Sequence, residues 1–228
     1  MDSSLHNWRY EIKMVFENAN RFEVESWVKL HSFAFSSAYP DRQVNNIYFD
    51  TFSMDTLNDH IAGAGQRRKF RFRWYGKDLS VAQGHLEIKH KEIVSGWKST
   101  QFIQQNVRLA NSNWKDIQAA LQTEAKGIFN EMLSVSRPVL INTYQRQYFV
   151  SADEDIRLTL DHDMQGYDQS FGIKPNLNFK LPNRDLVIIE LKTANENAKS
   201  LANTLAEFPL YAEAFSKYVQ MASRVIEQ

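Results

Sequence analysis

The stretch 67–75, Arg-Arg-Lys-Phe-Arg-Phe-Arg-Trp-Tyr, constrains this chain more than any other. In a strand, successive side chains point to opposite faces, so Arg67, Lys69, Arg71 and Arg73 fall on one side. Phe70, Phe72 and Trp74 fall on the other. The aromatic face demands cover, and the cationic face repels itself unless an anion sits among its charges. Taken alone, such a comb is the ordinary solvated face of an antiparallel sheet.

Repetition changes that reading. Segment 9–15 sets Arg9, Glu11 and Lys13 against Tyr10, Ile12 and Met14. Segment 85–91 sets Glu87, Lys89 and Lys91 against Leu86 and Ile88. Segment 156–161 sets Arg157, Thr159 and Asp161 against aliphatics, and 186–192 places Glu190 and Lys192 opposite Val187, Ile189 and Leu191. A merely wet face would be rich in Thr, Ser and Gln. Here it is mostly Arg, Lys and Glu, with the acids spaced among the bases. Like charges opposite one another across strands destabilise a sheet. A bound anion, with metal cations for the carboxylates, relieves that repulsion.

The site must be local, because Lys+Arg and Asp+Glu both number 27 and the net charge is zero. That balance argues against nonspecific binding of nucleic acid or of a membrane surface. At 228 residues the chain suits one barrel-sized domain spanning 1–228. It has no cysteine, so disulfides and thiolate metal sites are excluded. The first residues lack a basic region followed by an apolar one. No apolar run approaches the roughly 20 residues of a membrane span. The expectation is a cytoplasmic protein with no nucleic-acid partner and no membrane span of its own.

Helices are expected at 18–31 (capped near Asn18), 54–61, 114–121, 128–133 and 210–226, the last with an apolar stripe of Phe215, Tyr218, Val219, Ala222 and Ile226. Besides the alternating segments, 44–50 and 139–150 read as strands, and Gly63 and Gly65 mark a turn. Residues 164–184, with Gly166, Gly172, Pro175 and Pro182, read as an irregular connection. Apolar outward strand faces call for helices outside, so the fold class expected is α+β: a closed antiparallel β-barrel with a charged lumen and a C-terminal helix.

The ordered motifs Glu11-x-Lys13, Ile47-Tyr48-Phe49-Asp50-Thr51, Lys69-x-Arg71-x-Arg73, Glu87-x-Lys89-x-Lys91, Tyr144-x-Arg146, Arg157-x-Thr159-x-Asp161, Glu190-x-Lys192 and Phe215-Ser216-Lys217-Tyr218 run through nearly the whole chain. Each is weak alone; as an ordered set they resemble the VTC-type polyphosphate polymerase domain, a branch of the triphosphate tunnel metalloenzymes related to the CYTH superfamily. The resemblance implies an eight-stranded tunnel that binds triphosphate and polyphosphate with a divalent metal, Mn2+ or Mg2+. It implies that Lys13, Arg71, Arg73, Lys89, Arg146 and Arg157 bind phosphate and take part in catalysis. Lys217 resembles the lysine that the family's C-terminal helix sends into the tunnel. Lys69, Lys91 and Lys192 complete the substrate-binding set. Glu190 looks like the main metal ligand and Glu11 a second.

The residue chemistry agrees. Arginine offers phosphate a planar fork and lysine a point charge. Hard divalent cations need only one or two carboxylates beside phosphate oxygens and water. Glu87 reads either as a ligand or as the partner of neighbouring bases. Asp161 and Asp163 could hold metal, but Asp161 is read as pairing with Arg157 or with a neighbouring strand. The histidines show no metal spacing, and Gly63-Ala64-Gly65 is no phosphate loop.

Phosphoryl transfer depends mainly on positioned charge. The first reading is a metal-dependent, polyphosphate polymerase-like phosphotransferase that moves the γ-phosphoryl of a nucleoside triphosphate such as ATP to a chain end. The alternatives are a tunnel triphosphatase and a non-catalytic polyphosphate receptor. Any coupling to translocation would need a separate membrane partner.

Overall fold

The alternation in 67–75 is realised as a strand whose neighbours carry the same division. The computed structural model describes residues 9–92, 95–182, 184–194, 198–209 and 211–226. Its strands are β1 (Arg9–Glu17), β2 (Ser36–Asp50), β3 (Gln66–Tyr75), β4 (Val81–Glu92), β5 (Ser95–Arg108), β6 (Arg137–Val150), β7 (Ile156–Asp168) and β8 (Leu186–Ala194). The helices are α1 (Arg21–Leu30), α2 (Asp55–Ile61), α3 (Trp114–Glu124), α4 (Ile128–Val135), α5 (Ala198–Ala206) and α6 (Lys217–Ile226).

The strands form one eight-stranded antiparallel sheet in the order β1-β8-β7-β6-β2-β3-β4-β5. The α+β class and the strand number are those expected. Among the described residues no hydrogen-bonded ladder joins β1 to β5, so the expected closed barrel does not follow from the pairing. The end strands find other partners. The carbonyl of Lys13 accepts the Glu213 N–H at 2.9 Å. On β5, the Glu124 carboxylate of α3 takes the Gln104 and Gln105 N–H groups at 2.8 Å each.

The chain divides into two compact units. The first comprises Met1–Arg42, Tyr144–Met164 and Arg184–Phe215. In it β1 pairs with β8 from Arg9↔Ala194 to Glu17↔Leu186, and β8 pairs with β7. The apolar strand faces (Met14, Phe16, Leu158, Leu160, Ile189 and Leu191) pack with Val24 and Val28 of α1 and with Leu201 of α5. Those two valines lie one helical turn apart and share a face. The cap of α1 is Asn20, whose side chain accepts the Phe22 N–H at 2.9 Å. The cap expected near Asn18 fails because Asn18 sits at φ 53° and gives its N–H to the Asp185 carbonyl.

The second unit comprises Gln43–Thr143, Gln165–Asn183 and Ser216–Gln228. Here Phe70, Phe72 and Trp74 join Trp114, Ile117 and Leu121 of α3 and Phe129 and Leu133 of α4 in one core. This is the cover the aromatic comb required. Each such side chain stabilises the fold by roughly 1.5–3 kcal/mol on burial. The Asn113 side chain caps α3 by accepting the Asp116 N–H at 2.8 Å.

Several elements depart from the sequence reading. Strand β5 was not anticipated: its polar run Ser95–Arg108 buries few apolar side chains, among them Ile103 and Val107, and is recruited by pairing with β4. Strand β2 begins at Ser36, well before residue 44, with an exposed polar half. Strand β7 continues to Asp168, and α5 is additional. Helix α6 starts at Lys217 rather than at 210, because Ser216 caps it, its hydroxyl accepting the Val219 N–H at 3.4 Å. Phe215 therefore precedes the helix, and Leu210 lies outside the described residues.

Candidate functional site

In the second unit the charged face of β3 meets those of β4 and β5 in a fixed register. Arg71 lies opposite Glu87, Lys69 opposite Lys89, and Lys89 in turn opposite Lys98. Arg67 lies opposite Lys91. Glu87 is buried and shared. Arg71 donates to it through Nε and Nη2 at 2.8 and 2.6 Å, Lys98 through Nζ at 2.9 Å, and Arg73 stands 3.8 Å away. Burial opposes the Glu87 charge, but Arg71, Arg73 and Lys98 together hold its carboxyl well below the usual range. Glu87 is thus the neutralising partner of the comb.

Arg73 is buried and donates through Nε to Asn46 Oδ1 at 2.8 Å; Asn46 Nδ2 donates to Asn142 Oδ1 at 2.8 Å. Because arginine can only donate, its contact orients both amides. Arg71 also donates to the Tyr48 hydroxyl at 3.3 Å, and Tyr48 packs against Tyr218 with ring centroids 5.0 Å apart. Lys69 donates to the Ser216 hydroxyl at 3.1 Å. Lys217, half-buried, opens α6; Lys89 and Lys91 are exposed.

Asp50 explains why the Ile47–Thr51 motif matters locally. Its carboxylate accepts the N–H groups of Thr51, Thr56 and Leu57, capping α2. The adjacent His60 is pushed down to about 4, by burial first and then by Lys69 and Arg67. The field of the comb is therefore felt at a neighbouring side chain.

In the first unit, three charged rows lie side by side. Glu11 is opposite Lys192, which is opposite Arg157; Lys13 is opposite Glu190, which is opposite Thr159. Ion pairs join Glu11 to Lys13 and Glu190 to Lys192. Arg157 is exposed. Asp161, fully buried, does not pair with Arg157; it receives Arg146 Nε and Nη2 at 2.6 and 2.7 Å. Burial works against the Arg146 charge, but Asp161 and Tyr144 hold it protonated above even the arginine range. Its guanidinium lies 5.3 Å from the centroid of the Tyr144 ring.

The oxygen donors suit a hard divalent cation. Glu190 is buried, Glu11 lies diagonal to it on the next strand, and the buried Thr159 Oγ1 directly opposite Glu190 finds no hydrogen-bond partner among the described residues. No group of three or more His, Cys, Asp or Glu side chains gathers to hold a metal among the described residues. The sequence reading missed Lys98, Asn46 and Asn142. Lys98 had no local signal, since only the β4–β5 register brings it to Glu87; the paired asparagines 45–46 before an apolar strand end were visible but unexplained.

Ion-paired Arg, Lys and Glu on one strand face, with helices packed on the other, define an α+β protein built on an eight-stranded antiparallel sheet. The chain belongs to the VTC domain family, whose profile matches residues 8–226. No curated protein matches the sequence. Among solved structures it resembles a candidate adenylate cyclase of Bacillus halodurans (TM-score 0.55, 13% identity, 93% of this chain and 97% of that one). It also resembles the Hippeastrum adenylyl cyclase candidate HpAC1, described as having a dominant triphosphatase activity (TM-score 0.54, 17% identity, 93% and 94%). A candidate adenylate cyclase of Vibrio parahaemolyticus is similar at TM-score 0.51 and 13% identity, over 92% and 95%. At these identities the likeness is one of fold.

Proposed function

We propose that this chain is a metal-dependent, polyphosphate polymerase-like phosphotransferase that takes the γ-phosphoryl of a nucleoside triphosphate, working in the tunnel form of the sheet that the resemblance implies. One observation carries the reading. Lys69, Lys89 and Lys98 stand directly opposite one another on three adjacent strands, and Lys98 shares the Glu87 carboxylate with Arg71 and Arg73. Like charges opposite one another weaken a sheet, and a bound polyanion reverses that sign. Membership of the VTC family supports the same substrate class.

In this reading Arg71, Arg73, Lys69, Lys89 and Lys91 bind phosphoryl oxygens, and Lys217 adds a cation at the start of α6. Lys13, Arg157, Lys192 and Arg146 supply the bases of the first unit. Glu190 and Glu11 would hold Mn2+ or Mg2+, with the Thr159 hydroxyl beside Glu190. The metal would neutralise charge on the transferring group. The protein's own bases orient the phosphates and stabilise the oxygens as charge develops.

A second reading, a triphosphatase, is favoured by the activity printed for the Hippeastrum neighbour. Incubation of the purified protein with ATP and Mn2+, with products resolved by size, separates the readings. Long chains support the polymerase, and orthophosphate without chains supports the hydrolase. Binding without turnover would replace both with a receptor.

A further inference from the structure

Residues 169–182, the first part of the connection between β7 and β8, hold large apolar side chains in water. Phe171 is 89% exposed, and Ile173 and Phe179 are each 82% exposed. The segment is hydrogen-bonded into one conformation. The Asn176 side chain bonds the Phe179 N–H and carbonyl at 2.8 Å, Gln169 accepts the Asn176 N–H at 2.7 Å, and the Ile173 carbonyl accepts the Trp114 N–H at 2.9 Å. Phe52, 85% exposed, belongs to the same surface: Arg137 lies 4.6 Å from its ring centroid and donates to the Ser170 carbonyl at 2.6 Å. In a chain of balanced charge residues 169–182 carry Lys174 and Lys180 and no acid; Asp168 ends β7, and Asp185 stands beside Arg184 before β8.

We propose that this loop docks on an anionic membrane surface. Exposed apolar groups presented by an ordered loop mark an interaction site rather than incidental exposure. The occupant follows from shape and charge. Side chains that are four-fifths exposed or more enclose no pocket for a partner's side chain; they are tips. An interfacial bilayer region accepts separate apolar tips, and lysines beside them pair with lipid phosphates. The preset conformation reduces the ordering cost of docking. The zero net charge makes the attachment local to this loop.

Co-sedimentation of the full chain with phosphatidylserine/phosphatidylcholine vesicles, and with phosphatidylcholine alone, tests it. The parent binds the anionic vesicles and binds the neutral ones weakly. Phe171→Glu with Phe179→Glu lowers the bound fraction roughly tenfold or more. Lys174→Gln with Lys180→Gln removes the preference for anionic lipid. Both pairs are surface changes, and an unchanged thermal melt confirms the fold; Phe171→Ser with Phe179→Ser repeats the test without added charge. Three results overturn the proposal: no binding to anionic vesicles, binding undiminished in the phenylalanine variants, or self-association that these variants abolish in a protein that ignores vesicles.

Discussion

The Tyr218 hydroxyl of α6 donates to the Asp50 carboxylate at the end of β2, at 2.5 Å. Burial first, and then the Asp50 charge, push the Tyr218 phenol well above its ordinary range, so it stays a donor. The two ends of the second unit's sequence meet here. One bond ties the cap of α2 to α6, and Tyr48, packed on Tyr218, passes that order to Arg71.

Because Asp50 also serves three backbone N–H groups, its loss should cost more than the loss of its phenolic partner. Tyr218→Phe removes one charged hydrogen bond, worth about 1.5–3 kcal/mol. Asp50→Ala should exceed that, since it strips the cap of α2 as well. Urea unfolding of the two variants compares them directly, and equal losses would contradict the capping role.

Glu87 makes stability depend on pH in a defined direction. Its folded carboxyl titrates below the unfolded one, so it contributes stability above about pH 4.3, the ordinary glutamate value, and loses it as pH falls toward the folded value. Glu87→Gln should be less stable than the parent at neutral pH and lose less on acidification from pH about 5 downward. Parallel stability–pH curves for the two proteins would rule this out.

His60 offers a spectroscopic reporter. It sits at about 4 through burial and through the nearby Lys69 and Arg67 charges. A triphosphate bound among those bases should raise it, because the anion cancels part of their field. NMR titration of the His60 ring with and without triphosphate measures the change; an unmoved midpoint would place the anion elsewhere.

Arg71 should matter for anion binding through its fork. Arg71→Ala is expected to weaken triphosphate by about 1.5–3 kcal/mol, and Arg71→Lys to recover only part of that. Calorimetry decides it, and unchanged affinity in both variants would remove Arg71 from the binding set.

Variants at Glu190 and Thr159 test metal dependence separately from anion binding. Glu190→Gln should reduce Mn2+-dependent turnover by orders of magnitude while metal-free triphosphate binding persists or tightens. Thr159→Val deletes a buried hydroxyl that has no partner among the described residues. Stability of the metal-free protein should hold or rise while Mn2+-dependent turnover falls. Parent-level turnover in both variants would exclude this pair.

Much of the fold is legible in the sequence. Alternation alone told which side of β3, β4, β7 and β8 would pack, and Phe70, Phe72, Trp74, Leu158 and Leu191 are buried where that pattern put them. Strand β5 was illegible because a strand at the end of the sheet order need not carry a two-sided pattern; its partner β4 aligns it. Helix α6 was read too long because apolar spacing does not show where Ser216 turns the chain and caps the helix.

Charge, periodicity and motif order in the linear chain thus determined the family, the strand faces and the residue types gathered on the charged face, because the faces follow local geometry that repeats every two residues. Which acid serves which base was decided only in three dimensions. Asp161 takes Arg146 rather than Arg157, and Glu87 gathers Arg71, Arg73 and Lys98, because cross-strand register brings together groups that sequence distance keeps apart.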